Sequence, residues 1–180
     1  MLDKITFAKR YSKVLFELLE SNNQVEDGYN ELLQIKQVFV NNSDLGNSLT
    51  DVSFPEEYKL KLVKPLIDGI NTEAIKNLFN VLLQSNNMDE FVLIVDEFEQ
   101  LYNEKNKIVN AVAITAVPLS DDQKENLSNV LKTRMDARKV ILNNKIDQSI
   151  VGGVIIKSSN VVFDGSLRTK INNIKKLLLN

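Results

Sequence analysis

Neither cysteine nor histidine occurs among the 180 residues. Their absence removes disulfides, thiol nucleophiles, thiolate or imidazole metal ligands, and the usual general base near neutral pH. Carboxylates and lysines remain, but the most versatile catalytic side chains are gone, so a non-enzyme is expected. A basic excess is also missing. The 22 Lys and Arg against 24 Asp and Glu leave a net charge of −2, whereas a dedicated nucleic-acid binder carries a clear positive surplus. No uncharged apolar run approaches the roughly 18 residues of a membrane span. The opening Met1-Leu2-Asp3-Lys4 has the form of neither a secretory signal nor an Arg-rich transit peptide. The expectation is therefore a cytosolic chain without membrane insertion.

What is present divides by period. The hydrophobic fraction of 43% is ample for real cores, and the length suits one domain or two small ones. From Lys4 to about Glu104, apolar residues recur at helical spacing in 5–19, 25–40, 58–67, 74–83 and 91–102. Polar breaks separate them at Ser21-Asn22-Asn23, Asn41-Asn42-Ser43-Asp44, Asp68-Gly69 and Ser85-Asn86-Asn87. Ser53-Phe54-Pro55-Glu56 has the pattern of a capping box, and Pro65 is expected to end or kink the helix it starts. After a linker at Asn103-Glu104-Lys105-Asn106-Lys107 the pattern changes. Strands are expected over 108–117, 139–146 and 151–157, with a short one at 161–163 paired across Ser158-Ser159-Asn160. A second capping box, Ser120-Asp121-Asp122-Gln123, opens a helix running to about Met135. Leu167, Ile171, Ile174 and Leu178 stripe a closing helix. The fold class expected is α+β: an N-terminal all-helical bundle of about six helices (1–104), then a small C-terminal α/β domain (105–180).

The glycine-rich stretch Val151-Gly152-Gly153-Val154 invites comparison with a phosphate loop. Such loops lie between a strand and a helix, so that helix N-terminal amides meet the phosphate. Here a strand follows, so the glycines read as a turn or bulge with positive φ, or as a close backbone approach. Asp164-Gly165-Ser166 reads as a turn plus helix cap, and Arg168, Lys170, Lys175 and Lys176 as a solvated face. Asp121-Asp122 and Glu56-Glu57 fall in first turns, where the helix dipole favours acids. No catalytic, cofactor-binding or metal-ligating constellation is expected.

Two helices have more apolar surface than one core face needs. Ile5, Phe7, Ala8, Tyr11, Val14, Leu15, Phe16, Leu18 and Leu19 cover roughly 200° of the first helix, where a stripe a little over about 100° suffices. Ala74, Ile75, Leu78, Phe79, Val81, Leu82 and Leu83 do the same on the fifth. Either both helices are covered on two sides within the bundle, or they line a groove for a partner's amphipathic helix. Periodicity leaves both open.

The stretch Phe7-Ala8-Lys9-Arg10-Tyr11-Ser12-Lys13-Val14-Leu15-Phe16-Glu17-Leu18 resembles the opening helix of the delta subunit of F-type ATP synthases, the family of the mitochondrial oligomycin-sensitivity-conferring protein. Similar correspondences follow in order at 112–120, 150–156 and 162–168, and together they run along essentially the whole chain. Ser12 and Val14 stand where the family usually has alanine, 41–71 matches only in helical character, and Thr169 and Lys170 replace positions often filled by Arg. The resemblance implies a non-catalytic stator subunit without cofactor or metal. By the same resemblance it would not be a homo-oligomer and would lie peripherally on the cytoplasmic face of the bacterial plasma membrane. The bundle would bind N-terminal helices of the alpha subunits, with Tyr11, Val14, Leu15, Leu18, Ala74, Leu78 and Val81 as the groove. The C-terminal domain would meet the b-type stalk subunits, its structural motif formed by Gly152, Gly153, Asp164, Gly165, Ser166 and Arg168. The alternative is a helical-bundle RNA-binding or antitermination-type factor, with Lys9, Arg10, Lys13, Lys59, Lys61 and Lys64 as a basic face diluted by Glu17, Glu20, Glu56 and Glu57.

Overall fold

The computed structural model describes residues 2–42, 44–158 and 161–179, the side chains of Leu2, Glu56 and Leu179 apart. The chain divides into two compact units, Met1–Tyr102 and Asn103–Asn180. The first is helical, with α1 (Leu2–Ser21), α2 (Val25–Asn41), α3 (Asp44–Thr50), α4 (Glu56–Asp68), α5 (Glu73–Gln84), a 3-10 turn at Met88–Glu90, and α6 (Phe91–Lys105). Ala8, Ser12, Leu15 and Leu19 repeat at i, i+4, i+7 and i+11 on α1, and all four are buried. They meet Leu32, Ile35, Phe39, Ile75, Leu78, Phe79, Leu82, Phe91, Ile94 and Phe98 from the other helices. Aromatic rings close the centre, with Phe39 and Phe91 centroids 4.9 Å apart and Phe79 and Phe91 4.8 Å apart. Each such fully buried side chain stabilises the fold by about 1.5–3 kcal/mol relative to exposure.

Several local expectations need correction. The Ser53–Glu56 capping box does not form: Pro55 is the N-cap of α4 and no side chain caps it. Ser53 N instead donates to Asp51 Oδ1 at 2.8 Å, and the Glu56 side chain lies outside the described residues. Of the two outcomes expected at Pro65, an end or a kink, the end does not occur, since α4 continues to Asp68. Proline removes one i→i−4 bond, and partly buried Leu66 and Ile67 hold the last turn against the core. The apolar periodicity also omitted α3, whose seven residues are too few to show a helical repeat. Asn103, Glu104 and Lys105 extend α6 instead of forming a linker.

The second unit contains β1 (Ile108–Thr115), α7 (Asp121–Arg134), β2 (Lys139–Ile146), a 3-10 turn at Gln148–Ile150, β3 (Val154–Ser158), β4 (Val162–Asp164) and α8 (Leu167–Leu179). The sheet order is β2-β1-β3-β4. β1 and β2 are parallel and joined through α7, while β1–β3 and β3–β4 are antiparallel. Ala111 and Ala113 of β1, Leu131 of α7 and Ile156 of β3 form the interior. The α7 capping box forms as expected: Gln123 N donates to Ser120 Oγ at 3.3 Å, and Ser120 N to Gln123 Oε1 at 3.0 Å. The hairpin β3–β4 also forms, although Ser159 and Asn160 of its expected turn lie outside the described residues. β3 starts at Val154, not Val151, because Val151 adopts φ +68° in closing the 3-10 turn and cannot begin a strand. The α+β expectation holds, with a helical first half and a mixed sheet in the second.

Candidate partner-binding surfaces

α1 packs beside α5, so the two wide apolar arcs are neighbours. Leu15 and Leu78 are buried in the core. They close the interior beneath the surface. Tyr11 and Ala74 are partly buried. Val14, Leu18 and Val81 are 55%, 48% and 43% exposed. On α1 a second apolar strip runs through Phe7, Tyr11, Val14 and Leu18, again at i, i+4, i+7 and i+11; Val14 and Leu18 are exposed, while Phe7 and Tyr11, their rings 4.3 Å apart, are partly buried against the core. It lies to one side of the buried Ala8–Ser12–Leu15–Leu19 stripe, so each arc of about 200° resolves into a core face plus an adjoining, less buried strip. Phe7 also lies on that strip, although it was absent from the expected groove.

Polar ties between distant residues hold α1 and the start of α5. Lys4 of α1 pairs with Asp89 at 2.9 Å and with buried Glu90 in the 3-10 turn. Hydrogen bonding to Glu90, then to Asp89, holds the Lys4 ammonium well above its ordinary range. Burial opposes ionisation of Asp89, but hydrogen bonds from Lys4 and Thr50 outweigh it and lower its carboxyl. On α5, the N-cap residue Thr72 offers no side-chain cap. Glu31 of α2 supplies one instead, accepting from Asn71 N at 3.0 Å and Thr72 N at 3.2 Å. Desolvation works against the Glu31 charge, yet the bonds from Thr72 and Asn71 prevail and keep its carboxyl below the usual value. Sequence reasoning missed both ties, because partners 40 to 86 positions apart leave no local signal.

In the second unit the motif residues come together as a scaffold. Gly153 has φ +78°, and a Cβ there would stand 2.3 Å from Gly165 O. Positive φ and close backbone approach thus coincide at one residue, while a Cβ on Gly152 would meet Leu167 Cδ1 at 2.9 Å. Gly165 N donates to Val154 O and Leu167 N to Gly152 O, both at 2.9 Å. Asp164 Oδ1 accepts from Ser166 N at 2.9 Å, buried Ser166 accepts from Thr169 N at 3.2 Å, and Thr169 Oγ1 donates to Asp164 Oδ2 at 2.8 Å. These bonds from Ser166 and Thr169 lower the Asp164 carboxyl. Arg168 Nη1 donates to Ser149 Oγ at 3.4 Å. The glycines, Asp164 and Ser166 of the motif are thus engaged in shaping backbone. Among the described residues no group of acidic side chains converges to hold a metal ion, and no helix is long and apolar enough to cross a membrane.

The molecule is thus an α+β protein of two units whose free features are helix faces. A family profile described as ATP synthase delta (OSCP) subunit matches residues 7–178. The chain is 40% identical over 179 residues to the ATP synthase subunit delta of Lactiplantibacillus plantarum, covering 99% of this chain and 98% of that protein. It is 38% identical over 178 residues to the subunit delta of Enterococcus hirae, with 98% of each covered. Among solved structures, a chain of the Toxoplasma gondii mitochondrial ATP synthase hexamer shares the fold at TM-score 0.72 and 20% identity, covering 96% of this chain and 97% of that one. The chain belongs to the ATP synthase delta (OSCP) subunit family, and is accordingly a subunit of an F-type ATP synthase.

Proposed function

We propose that the chain is a non-catalytic stator subunit, peripheral on the cytoplasmic face of the bacterial membrane. It links the alpha subunits of the catalytic head to the b-type peripheral stalk, so that the head does not turn with the rotor. The observation that carries this reading is the partly exposed strip of α1 (Phe7, Tyr11, Val14, Leu18), with Val14 and Leu18 its most open members, beside Ala74 and Val81 of α5. An amphipathic alpha-subunit helix laid there covers apolar surface that the bundle leaves wet. Leu15 and Leu78 support that strip from below, and the unit Asn103–Asn180 faces the stalk through the Gly152–Arg168 scaffold. No cofactor is needed, because the chemistry belongs to other subunits. The RNA-binding alternative loses a member of its basic face: Lys59 is buried and donates to Asn86 Oδ1 at 2.8 Å.

Calorimetric titration with a peptide of the alpha N-terminal helix tests the groove. Val81→Asp and Tyr11→Asp should each weaken binding at least about tenfold, as expected when a central apolar contact is lost. The Val81 variant should keep its urea midpoint, since the side chain is nearly half exposed. Unchanged affinity in both variants would remove α1 and α5 from the interface. The stator role itself is tested by reconstitution: stripped catalytic heads should rebind stalk-bearing membranes only when the chain is supplied.

A further inference from the structure

The closing helix carries an apolar seam that its own unit leaves bare. Leu167, Ile171, Ile174 and Leu178 are 44%, 44%, 57% and 80% exposed. Their spacings of 4, 3 and 4 are those of successive d, a, d and a positions in a heptad repeat. Only the first turn of α8 is tied down, through the Gly152, Ser166 and Arg168 bonds already described. Beyond Thr169 every described side chain of the helix is exposed. Helices of 13 residues fall in the length range of about 12–15 where isolated helices are marginal in water, most helical stability coming from packing.

The flanking residues specify what packs there. With Leu167 at d, Arg168 and Lys175 occupy e positions and Lys170 a g position, and α8 contains no acidic residue. Ion pairs among the described residues lie elsewhere, leaving Lys170 and Lys175 unpaired. In a coiled coil the e and g charges choose the partner. A second copy of α8 would set cation against cation, so self-pairing is disfavoured. From Leu167 to Ile174 only the a and d positions are apolar, and Leu177 at g widens the stripe only in the last described turn, so most of the seam is narrow, the width of a helix–helix contact, where a helix lying in a lipid surface presents a broad face.

We propose that α8 is one strand of a heteromeric two-stranded coiled coil, whose other strand is a helix with apolar a and d positions and acidic e and g positions. This rests on the reading of the second unit as stalk-facing, and adds the element that docks and the chemistry it recognises.

The test uses the full chain and two labelled peptides of about three heptads, with Leu and Ile at a and d and either Glu or Lys at e and g. Fluorescence anisotropy should show the Glu peptide binding at least about tenfold more tightly than the Lys peptide. Ile171→Asp with Ile174→Asp should abolish that binding. Lys170→Glu with Lys175→Glu should invert the preference toward the Lys peptide, a gain that misfolding cannot produce. Equal affinity for the two peptides, or binding that survives the Ile171 and Ile174 changes, overturns the proposal. So does binding of phosphatidylglycerol vesicles through the seam with neither peptide bound. Reconstitution separates the two levels of the reading. If Ile171→Asp with Ile174→Asp still restores head rebinding, the α8 seam falls and the stator role stands. If the unaltered chain restores nothing, the stator role falls, and the peptides alone judge α8.

Discussion

In the unit Met1–Tyr102 the buried interior includes Phe79, Phe91 and Phe98, whereas the interior of Asn103–Asn180 is built around Ala111, Ala113, Leu131 and Ile156. The first unit draws on apolar transfer from large side chains, which contribute about 1.5–3 kcal/mol each when fully buried. The second has little such surface to remove from water, and relies on backbone geometry: sheet pairing, tight turns, caps and glycine contacts. The capping differs in the same way. In the second unit, Ser120 with Gln123 and Asp164 with Ser166 and Thr169 cap within a few residues. In the bundle, the α5 cap comes from Glu31 on another helix. Packing therefore organises one unit and local backbone chemistry the other, and the two should fail differently.

The largest expected effect is in the bundle core. Phe79→Ala should cost about 3–5 kcal/mol, the usual range for emptying a buried aromatic site, read from the urea midpoint by far-UV circular dichroism. A loss near 1 kcal/mol would mean that the ring stack of Phe39, Phe79 and Phe91 collapses around the gap, and that packing matters less here than its burial implies. In the second unit the corresponding weak point has no side chain at all. Gly153→Ala meets φ +78° and a carbonyl 2.3 Å from the new Cβ. Backbone strain alone sets the expected cost at about 1–3 kcal/mol. Amide exchange should speed up in β3 and β4, where Gly165 N bonds to Val154 O. Unchanged protection there would show that the Gly153–Gly165 approach is not what holds the hairpin to α8.

The same contrast explains what the amino-acid sequence made legible. Ser120-Asp121-Asp122-Gln123 is read correctly because a capping box is satisfied within four residues, and nothing distant competes for it. Gly153 is legible for a similar reason, since glycine order relative to strand and helix is a local property. Ser53–Glu56 has an equally good pattern, but Asp51 takes the Ser53 amide and Pro55 sets the helix start. The apolar arcs of α1 and α5 showed more apolar surface than one core face needs, but not how it divides between buried and exposed residues. Leu15 and Leu18 are equally apolar, and only packing against α2 and α5 decides that one is buried and the other half exposed. Lys4 and Glu31 were invisible because their partners are tens of residues away.

Glu31 offers the smallest effect and the finest test of the contrast. Removing its carboxylate by Glu31→Ala should cost about 1 kcal/mol, as for loss of a helix N-cap, and should also loosen α5 as a groove wall. The pH dependence identifies the charged form as the one that acts. Hydrogen bonds from Thr72 and Asn71 lower the Glu31 carboxyl from its ordinary 4.5 in the folded chain. A lowered folded value means the unfolded chain binds the proton more readily. The contribution is therefore fully present above about pH 4.5 and is lost as pH falls through the folded value. The stability difference between the unaltered chain and Glu31→Ala should stay constant from pH 7 to 5, then close below 4.5. Asp89 titrates in the same direction, but it is common to both proteins and cancels in the difference. A gap that stays open at low pH would show that Glu31 acts through packing alone, and would remove the cross-helix cap from the account of how α5 is positioned.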